Sequence, residues 1–390
     1  MHGVSTMTER RYDIDWLRIF GIAMLFPFHA ARVFDVFEPN YVKNAIWQLM
    51  DQASTTPGFS WPLSLFIFFT AYWFMPLLFW LAGSSSWYAL QKRDGGQYAR
   101  ERVARLLVPF LFGLVVIVPP QGYMARLMQG YQGGYLNYLL GYFTDFSDLS
   151  GYYGTFTPAH LWFILYLFVI SLCVLPLMLA IRKRVLAAND GGKPFWLARQ
   201  MEKPAVFLAL LPVLLTITEA LPDIGGKNPF YYAALFLIGY LAACSKSVLA
   251  MLNRLRFPAL LTLPAVLALL TLMQFQWGFG NHPDLSVPQA AMAITRNLAL
   301  ILTMTVLLGY GNRLLNKNTK TLTYLSRAAF PVYILHQTVM MVAAFFVVQW
   351  ALPVWGKFSL IIVLSFAATL ALYELVVRRV GFLKALFGLK

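Results

Sequence analysis

A chain of 390 residues that is 59% hydrophobic and only 12% charged cannot form an ordinary water-facing surface, which takes roughly 25% charged residues. Division into two or three soluble domains, usual for this length, is thereby excluded, and the composition points to one all-α integral membrane domain. The net charge of +15 would suit nucleic acid, but the positive-inside bias of a membrane protein explains it as well, so no nucleic-acid partner is expected.

A membrane span takes about 20 mostly apolar residues. Ten such stretches are predicted, near 14–37, 62–84, 105–122, 160–181, 204–221, 229–246, 258–277, 290–311, 328–350 and 358–378. Arg10 and Arg11 precede the first, and no small-residue cleavage pattern follows it, so it reads as a retained span and not a removed signal peptide. Of the 31 Lys and Arg residues, 24 fall in alternate connections and in the two terminal segments, among them Arg93, Arg102, Arg105, Arg182, Lys193, Arg254, Lys320, Arg378 and Lys390. The opposite set holds Lys43, Arg126, Lys227 and Lys357. An alternation sustained through ten spans places both termini in the cytoplasm. Cys173 and Cys244 lie in or at the end of apolar segments and are expected as free thiols.

The longest external connection, 121–158, is rich in Tyr, Phe and Gly and includes Tyr152 and Tyr153. Two readings stand: an interfacial aromatic belt, or a surface on which sugar rings stack.

Ionisable groups inside spans cost about 2.5–3.5 kcal/mol each on insertion scales, so each is a functional candidate. The first span carries Asp15, Arg18 and His29. Eleven residues separate Arg18 from His29, which sets them within about 20° of one helix face and roughly 16 Å apart along it. Asp15 is one turn from Arg18 and can pair with it. Arg18 reads either as a snorkelling anchor or as a planar cation for a phosphate. His29 reads either as a helix–helix hydrogen bond or as a base suited to a hydroxyl proton. In the ninth span Tyr333 and Gln337 flank His336. His160 and Trp162 open the fourth span at the outer surface, and Arg296, Glu219 and the pair Glu374 and Arg378 complete the set. Phosphate-loop, nucleophile-elbow and zinc spacings are absent, and no metal is expected. Asp13-Ile14-Asp15 is a weak DxD running straight into an apolar helix.

Several of these residues fall in motifs that resemble the membrane-bound acyltransferase 3 family along nearly the whole chain. Arg18 and His29 match its Arg-x10-His, and Arg102-Val103-Ala104-Arg105 followed by Pro109 matches its Arg-x-x-Arg. His160-Leu161-Trp162-Phe163, the run from Ser326 to Gln337, and the ending from Tyr373 to Lys390 are also similar, as is the opening from Arg11. The motifs resemble those of its glucan succinyltransferase branch. The soluble hydrolase-like domain that some members carry after the tenth span is not expected here.

The resemblance implies O-acyl transfer, of an acetyl or succinyl group, from cytoplasmic acyl-coenzyme A to a hydroxyl of an extracytoplasmic glycan. Arg18, Arg102 and Arg105 would hold the phosphates of the donor. His29 would act as base or transient acyl carrier, with His336 in support. His160, Trp162, Tyr152 and Tyr153 would line the acceptor side. Asp15, Tyr333, Gln337, Glu374 and Arg296 would support the site. Acyl-coenzyme A enters as a donor substrate, with no permanently bound cofactor, in a protein of the bacterial inner membrane. The alternatives are a proton-coupled transporter or flippase of an anionic lipid or sugar, and a lipid-linked glycosyltransferase resting on the DxD.

Overall fold

The computed structural model describes residues 10–35, 40–44, 61–189, 196–277 and 286–389. Lys193, Lys390 and the last two residues of the first predicted span lie outside that set. The described residues form helices and their connections, with no strand among them: α1 (Tyr12–Arg32), α2 (Trp61–Leu90), α3 (Gly95–Met128), α4 (Tyr135–Tyr142), α5 (Ala159–Cys173), α6 (Leu175–Ala188), α7 (Trp196–Met201), α8 (Val206–Glu219), α9 (Pro229–Ala243), α10 (Lys246–Trp277), α11 (Val287–Leu315), α12 (Lys320–Val347), α13 (Val354–Val377) and α14 (Gly381–Leu386).

All ten predicted stretches fall on helix. Seven helices (α1, α2, α3, α10, α11, α12 and α13) are long and apolar enough to cross a membrane. The pair α5 and α6 passes the same test jointly but is bent by 55° at its junction, and α8 and α9 are shorter apolar helices. Large apolar side chains cover the outside, among them Leu111, Val115, Leu261, Leu272 and Val363. A water-soluble protein would not tolerate so much contiguous apolar surface, whereas lipid is an equally apolar solvent for it.

Proline sets much of the helix geometry. Val103–Leu107, Gly113–Ile117 and Val206–Leu210 are wide π-type turns, and each ends two residues before a proline: Pro109, Pro119 and Pro212. Proline has no N–H for the carbonyl four residues back, so the ladder slips by one residue there. Pro27 similarly leaves the carbonyl of Ala23 without its N–H, and α1 is interrupted next to it at Met24.

The helices meet in tight, specific contacts. Gly83 of α2 and Gly239 of α9 let two backbones touch, since a β-carbon would lie 1.9 Å from the carbonyl of Phe236 at the first and 2.1 Å from that of Trp80 at the second. Ser84 uses the approach to donate to the Gly239 carbonyl at 2.9 Å. The start of α1 joins the end of α11: Tyr12 N–H donates to Asn316 at 3.0 Å, and Asn312 donates to Asp13 at 3.4 Å. The far end of α1 is tied to the segment that follows it, where Arg32 pairs with Asp35 at 2.9 Å and Ser64 of α2 donates to the same carboxylate at 3.0 Å. Contacts between α12 and α1, α3, α5 and α13 surround α12, and its middle from Ala328 to Thr338 is nearly all buried.

Candidate active site

The three histidines among the described residues meet at one point. His29 comes from α1, His160 from the first turn of α5 and His336 from the middle of α12. The His29 and His336 ring centroids are 5.3 Å apart, and those of His160 and His336 are 5.1 Å apart. His336 is fully buried, His160 is 6% exposed, and His29 is partly exposed. Phe26 closes one side of the group, its ring 5.9 Å from His336.

Two backbone carbonyls fix the protons of two of these rings. His336 Nδ1 lies 2.5 Å from the carbonyl of Tyr333, and His160 Nε2 lies 2.8 Å from that of Ile334. A carbonyl only accepts, so each of those nitrogens is assigned the proton and donates it. The other nitrogens, His336 Nε2 and His160 Nδ1, are then bare lone pairs, and both are buried with no hydrogen-bond partner among the described residues. Tyr333 donates its hydroxyl back to the carbonyl of His160. This exchange clamps the start of α5 to the turn of α12 that carries His336. Gln337 is buried on the next position, and Thr338 donates to the Ile117 carbonyl at 2.7 Å.

One helix joins this group to a cationic end. Arg18, eleven residues before His29, donates to Asp15 at 3.1 Å and to Ser85 of α2 at 2.7 Å. Asp15 also pairs with Arg10, and Asp13 with Arg11, so both carboxylates of the DxD are committed to arginines. The next residue of α2, Ser86, receives Arg102 at 3.4 Å and the hydroxyl of Tyr98 at 2.9 Å. Arg102 also lies over the Tyr98 ring at 4.4 Å, and its Nε is buried without a partner. Arg18 and Arg102 thus bond to adjacent serines of α2.

Arg105 faces elsewhere. It pairs with Glu101 at 3.3 Å and lines an open cleft of about 450 Å³ with Arg93, Arg100, Gly388 and Leu389. The wide turn over Val103–Leu107 explains the divergence, because side chains three apart are swung further round than in an α-helix. An Asp94–Gln97 capping box starts this basic stretch, with bonds of 2.8 and 3.3 Å.

The remaining candidates stand apart from the histidines. Trp162 packs against Tyr232 and Tyr166 at 5.2 and 5.4 Å, with the Lys227 ammonium 5.5 Å from its ring. Tyr152 meets Tyr41 edge-on at 5.2 Å, and Tyr153 is 59% exposed. The other rings of the aromatic connection largely pack on each other, as Tyr123, Tyr138 and Tyr142 do. Burial pushes the Tyr142 hydroxyl up to about 12, although the Thr157 backbone N–H, which donates to its oxygen, opposes the shift. Arg296 pairs with Glu219 at 2.9 Å, and Glu374 with Arg378 at 2.8 Å and Tyr324 at 2.7 Å. Sequence reasoning passed over Ser85, Ser86 and Tyr98; three consecutive serines in an apolar run were the available signal.

An all-helical bundle with apolar outer faces, buried imidazoles and clustered guanidiniums defines an integral membrane protein with a polar site inside it. A family model described as Acyltransferase domain, of the acyltransferase 3 type, matches residues 11–374, and the chain belongs to that family of acyltransferases. It is similar to the glucans biosynthesis protein C of Escherichia coli strain K12, with 23% identity over 400 residues, covering 97% of this chain and 94% of the relative. The proteins of the same description from strains O157:H7 and O9:H4 match at the same identity and coverage. No solved structure matches.

Proposed function

We propose that this acyltransferase moves an acetyl or succinyl group from acyl-coenzyme A, bound on the cytoplasmic side, to a hydroxyl of an extracytoplasmic glycan. The observation that carries the reading is that α1 presents Arg18, beside Arg102, at one end and His29, beside His336 and His160, further along. Eleven residues of helix are roughly 16 Å, about the reach needed to hold a phosphate of the donor while its thioester lies among the imidazoles. The unfilled Nε–H of Arg102 suits a phosphate oxygen, and a guanidinium binds one through a planar fork.

In this reading the ten apolar segments are ten spans with both termini cytoplasmic, in a bacterial inner membrane. Arg105, with Arg93 and Arg100, adds positive charge around the donor side. Trp162, Tyr152 and Tyr153 face the arriving glycan, whose flat sugar faces match aromatic rings. The thioester is already activated, so transfer requires positioning and removal of one proton, and His29 supplies the base or carries the acyl group transiently. The glycan class is suggested by the distant relatives named above, which are glucans biosynthesis proteins.

The test is His29→Ala in the full-length protein. We expect acyl incorporation into envelope glycans, read by mass spectrometry, to vanish while the variant still inserts and elutes as one species. Wild-type incorporation by that variant rejects the assignment. The same measurement on cells with and without the protein identifies the acyl group and its acceptor.

A further inference from the structure

We propose that His29 and His336 work as a dyad, in which His336 Nε2 accepts the N–H of His29 and leaves the other nitrogen of His29 free as the base. This rests on the acyl-transfer reading and assigns its proton path.

One arrangement of protons among the three rings fills the open position of His336. His336 has a single open position, the Nε2 lone pair, because Nδ1 donates to the Tyr333 carbonyl. A buried lone pair without a donor is costly, and two rings are close enough to fill it, those of His29 and His160. His160 has no proton to give: its Nε2–H is spent on the Ile334 carbonyl, and its Nδ1 is itself a bare lone pair. His29 has no hydrogen-bond partner on either ring nitrogen among the described residues, so it can turn an N–H toward His336. A linear N–H···N bond of about 2.9 Å sets two imidazole centroids roughly 5 Å apart, and the observed separation is 5.3 Å. The rings are tilted by 43° and the bond is open; a rotation of His29 closes it, as catalytic hydrogen bonds often tighten only with substrate bound.

The exposures fit this order. His29 is partly exposed and able to touch a substrate, whereas His336 is fully buried and acts through its neighbour. His336 is therefore a positioning residue, with a backbone carbonyl fixing its tautomer. His160, whose ring and backbone both grip the 333–336 turn, holds it in place. In the transfer, the acceptor oxygen forms its bond to the acyl carbon and its proton passes to the free nitrogen of His29. The carbon–sulfur bond then breaks, and His29 returns the proton to the thiolate, giving the ester and free coenzyme A thiol. His336 Nε2 stabilises the intervening imidazolium by accepting its other N–H. The other titratable groups around the pair are His160, Tyr333 and Arg32.

The test uses purified full-length protein and compares His336→Asn with His336→Gln. Asparagine retains a donor for the Tyr333 carbonyl but loses the acceptor at the Nε2 position; the longer glutamine can place an oxygen there. Acceptor-dependent thiol release is measured across pH, with acyl-coenzyme A affinity measured separately. H336N should lose about a hundredfold in kcat with donor affinity within twofold of wild type. H336Q should recover at least tenfold of that loss. Without the acceptor the imidazolium of His29 is less favoured, so the acid limb of kcat/KM in H336N should move to lower pH by about one unit. Near-normal kcat in H336N, equal loss in both variants, an unmoved acid limb, or donor affinity falling with kcat overturns the dyad. Wild-type protein that releases no thiol with any hydroxyl acceptor overturns the acyl-transfer reading and the dyad together, whereas turnover by wild type with any of the former results removes the dyad alone.

Discussion

Arg18 and Arg102, on the first and third helices, are held by adjacent serines of the second, at 2.7 Å to Ser85 and 3.4 Å to Ser86. Each serine hydroxyl gives its own proton to the carbonyl one turn earlier, Ser85 to Leu81 at 2.7 Å and Ser86 to Ala82 at 2.8 Å. That leaves only lone pairs facing the guanidiniums, which are pure donors, and both cations are aimed without a carboxylate that would fully neutralise them. Asp15 balances Arg18 in part, and Arg102 has no acidic partner among the described residues. On the proposed reading, the two cations receive an anion that arrives from outside the protein.

Arg18→Lys tests this arrangement. Lysine keeps the charge but cannot serve Asp15, Ser85 and a phosphate oxygen through one planar fork. We expect acyl-coenzyme A affinity to fall about tenfold, equivalent to ~1.4 kcal/mol, and Arg18→Ala to fall further. Equilibrium binding in detergent measures it. An unchanged affinity in both variants would assign Arg18 to anchoring at the membrane surface instead.

The stripe carrying Arg18 and His29 was legible because helical spacing is a local property. The company His29 keeps was not. His160 read as an outer-surface residue, yet it belongs with His336, because the contact joins α5 to α12 through the Ile334 carbonyl and the Tyr333 hydroxyl. No local pattern encodes a backbone acceptor so distant in sequence. Arg102 and Arg105 read as a pair because they match one Arg-x-x-Arg motif, but the wide turn ahead of Pro109 turns them to different sides. Helix ends were also read short. α3 starts at Gly95, ahead of the predicted 105, because basic residues such as Arg100 and Arg102 are good helix formers that an apolarity count leaves out.

Arg296 and Glu219 sit in a network that touches none of the histidines. The Glu219 carboxylate accepts from Arg296 at 2.9 Å and from Asn297 at 3.1 Å, and Tyr231 donates to Asn297 at 3.0 Å. The pair is about a third exposed on the arginine side, so its worth is discounted accordingly. Glu219→Gln keeps an oxygen acceptor but removes the charge and should cost about 1 kcal/mol, lowering Tm by roughly 2–4 °C. Glu219→Leu leaves two donors unfilled and should cost more. Donor affinity should be unchanged in both, and a matching loss of affinity would place the network within the site. Thermal denaturation by intrinsic fluorescence, run beside the binding assay, reads both quantities.

The crossing of α2 and α9 makes a sharper demand on stability. At Gly239 an added methyl group would lie 2.1 Å from the Trp80 carbonyl, a separation that side-chain rotation cannot relieve because the backbone fixes both the β-carbon and the carbonyl oxygen. Gly239→Ala should therefore part the helices, break the 2.9 Å bond from Ser84, and cost about 3 kcal/mol. Gly141→Ala is the matched control: α4 offers open space there, with nothing within 4 Å, and removing a helical glycine should be neutral or gain ~0.5–1 kcal/mol. Opposite shifts in thermal midpoint between the two variants would show that the glycine at 239 is required by backbone contact. Because Ser85 and Ser86 follow Ser84 directly on α2, parting that crossing should also loosen Arg18 and Arg102. G239A should then lose donor affinity along with stability, while E219Q loses stability alone.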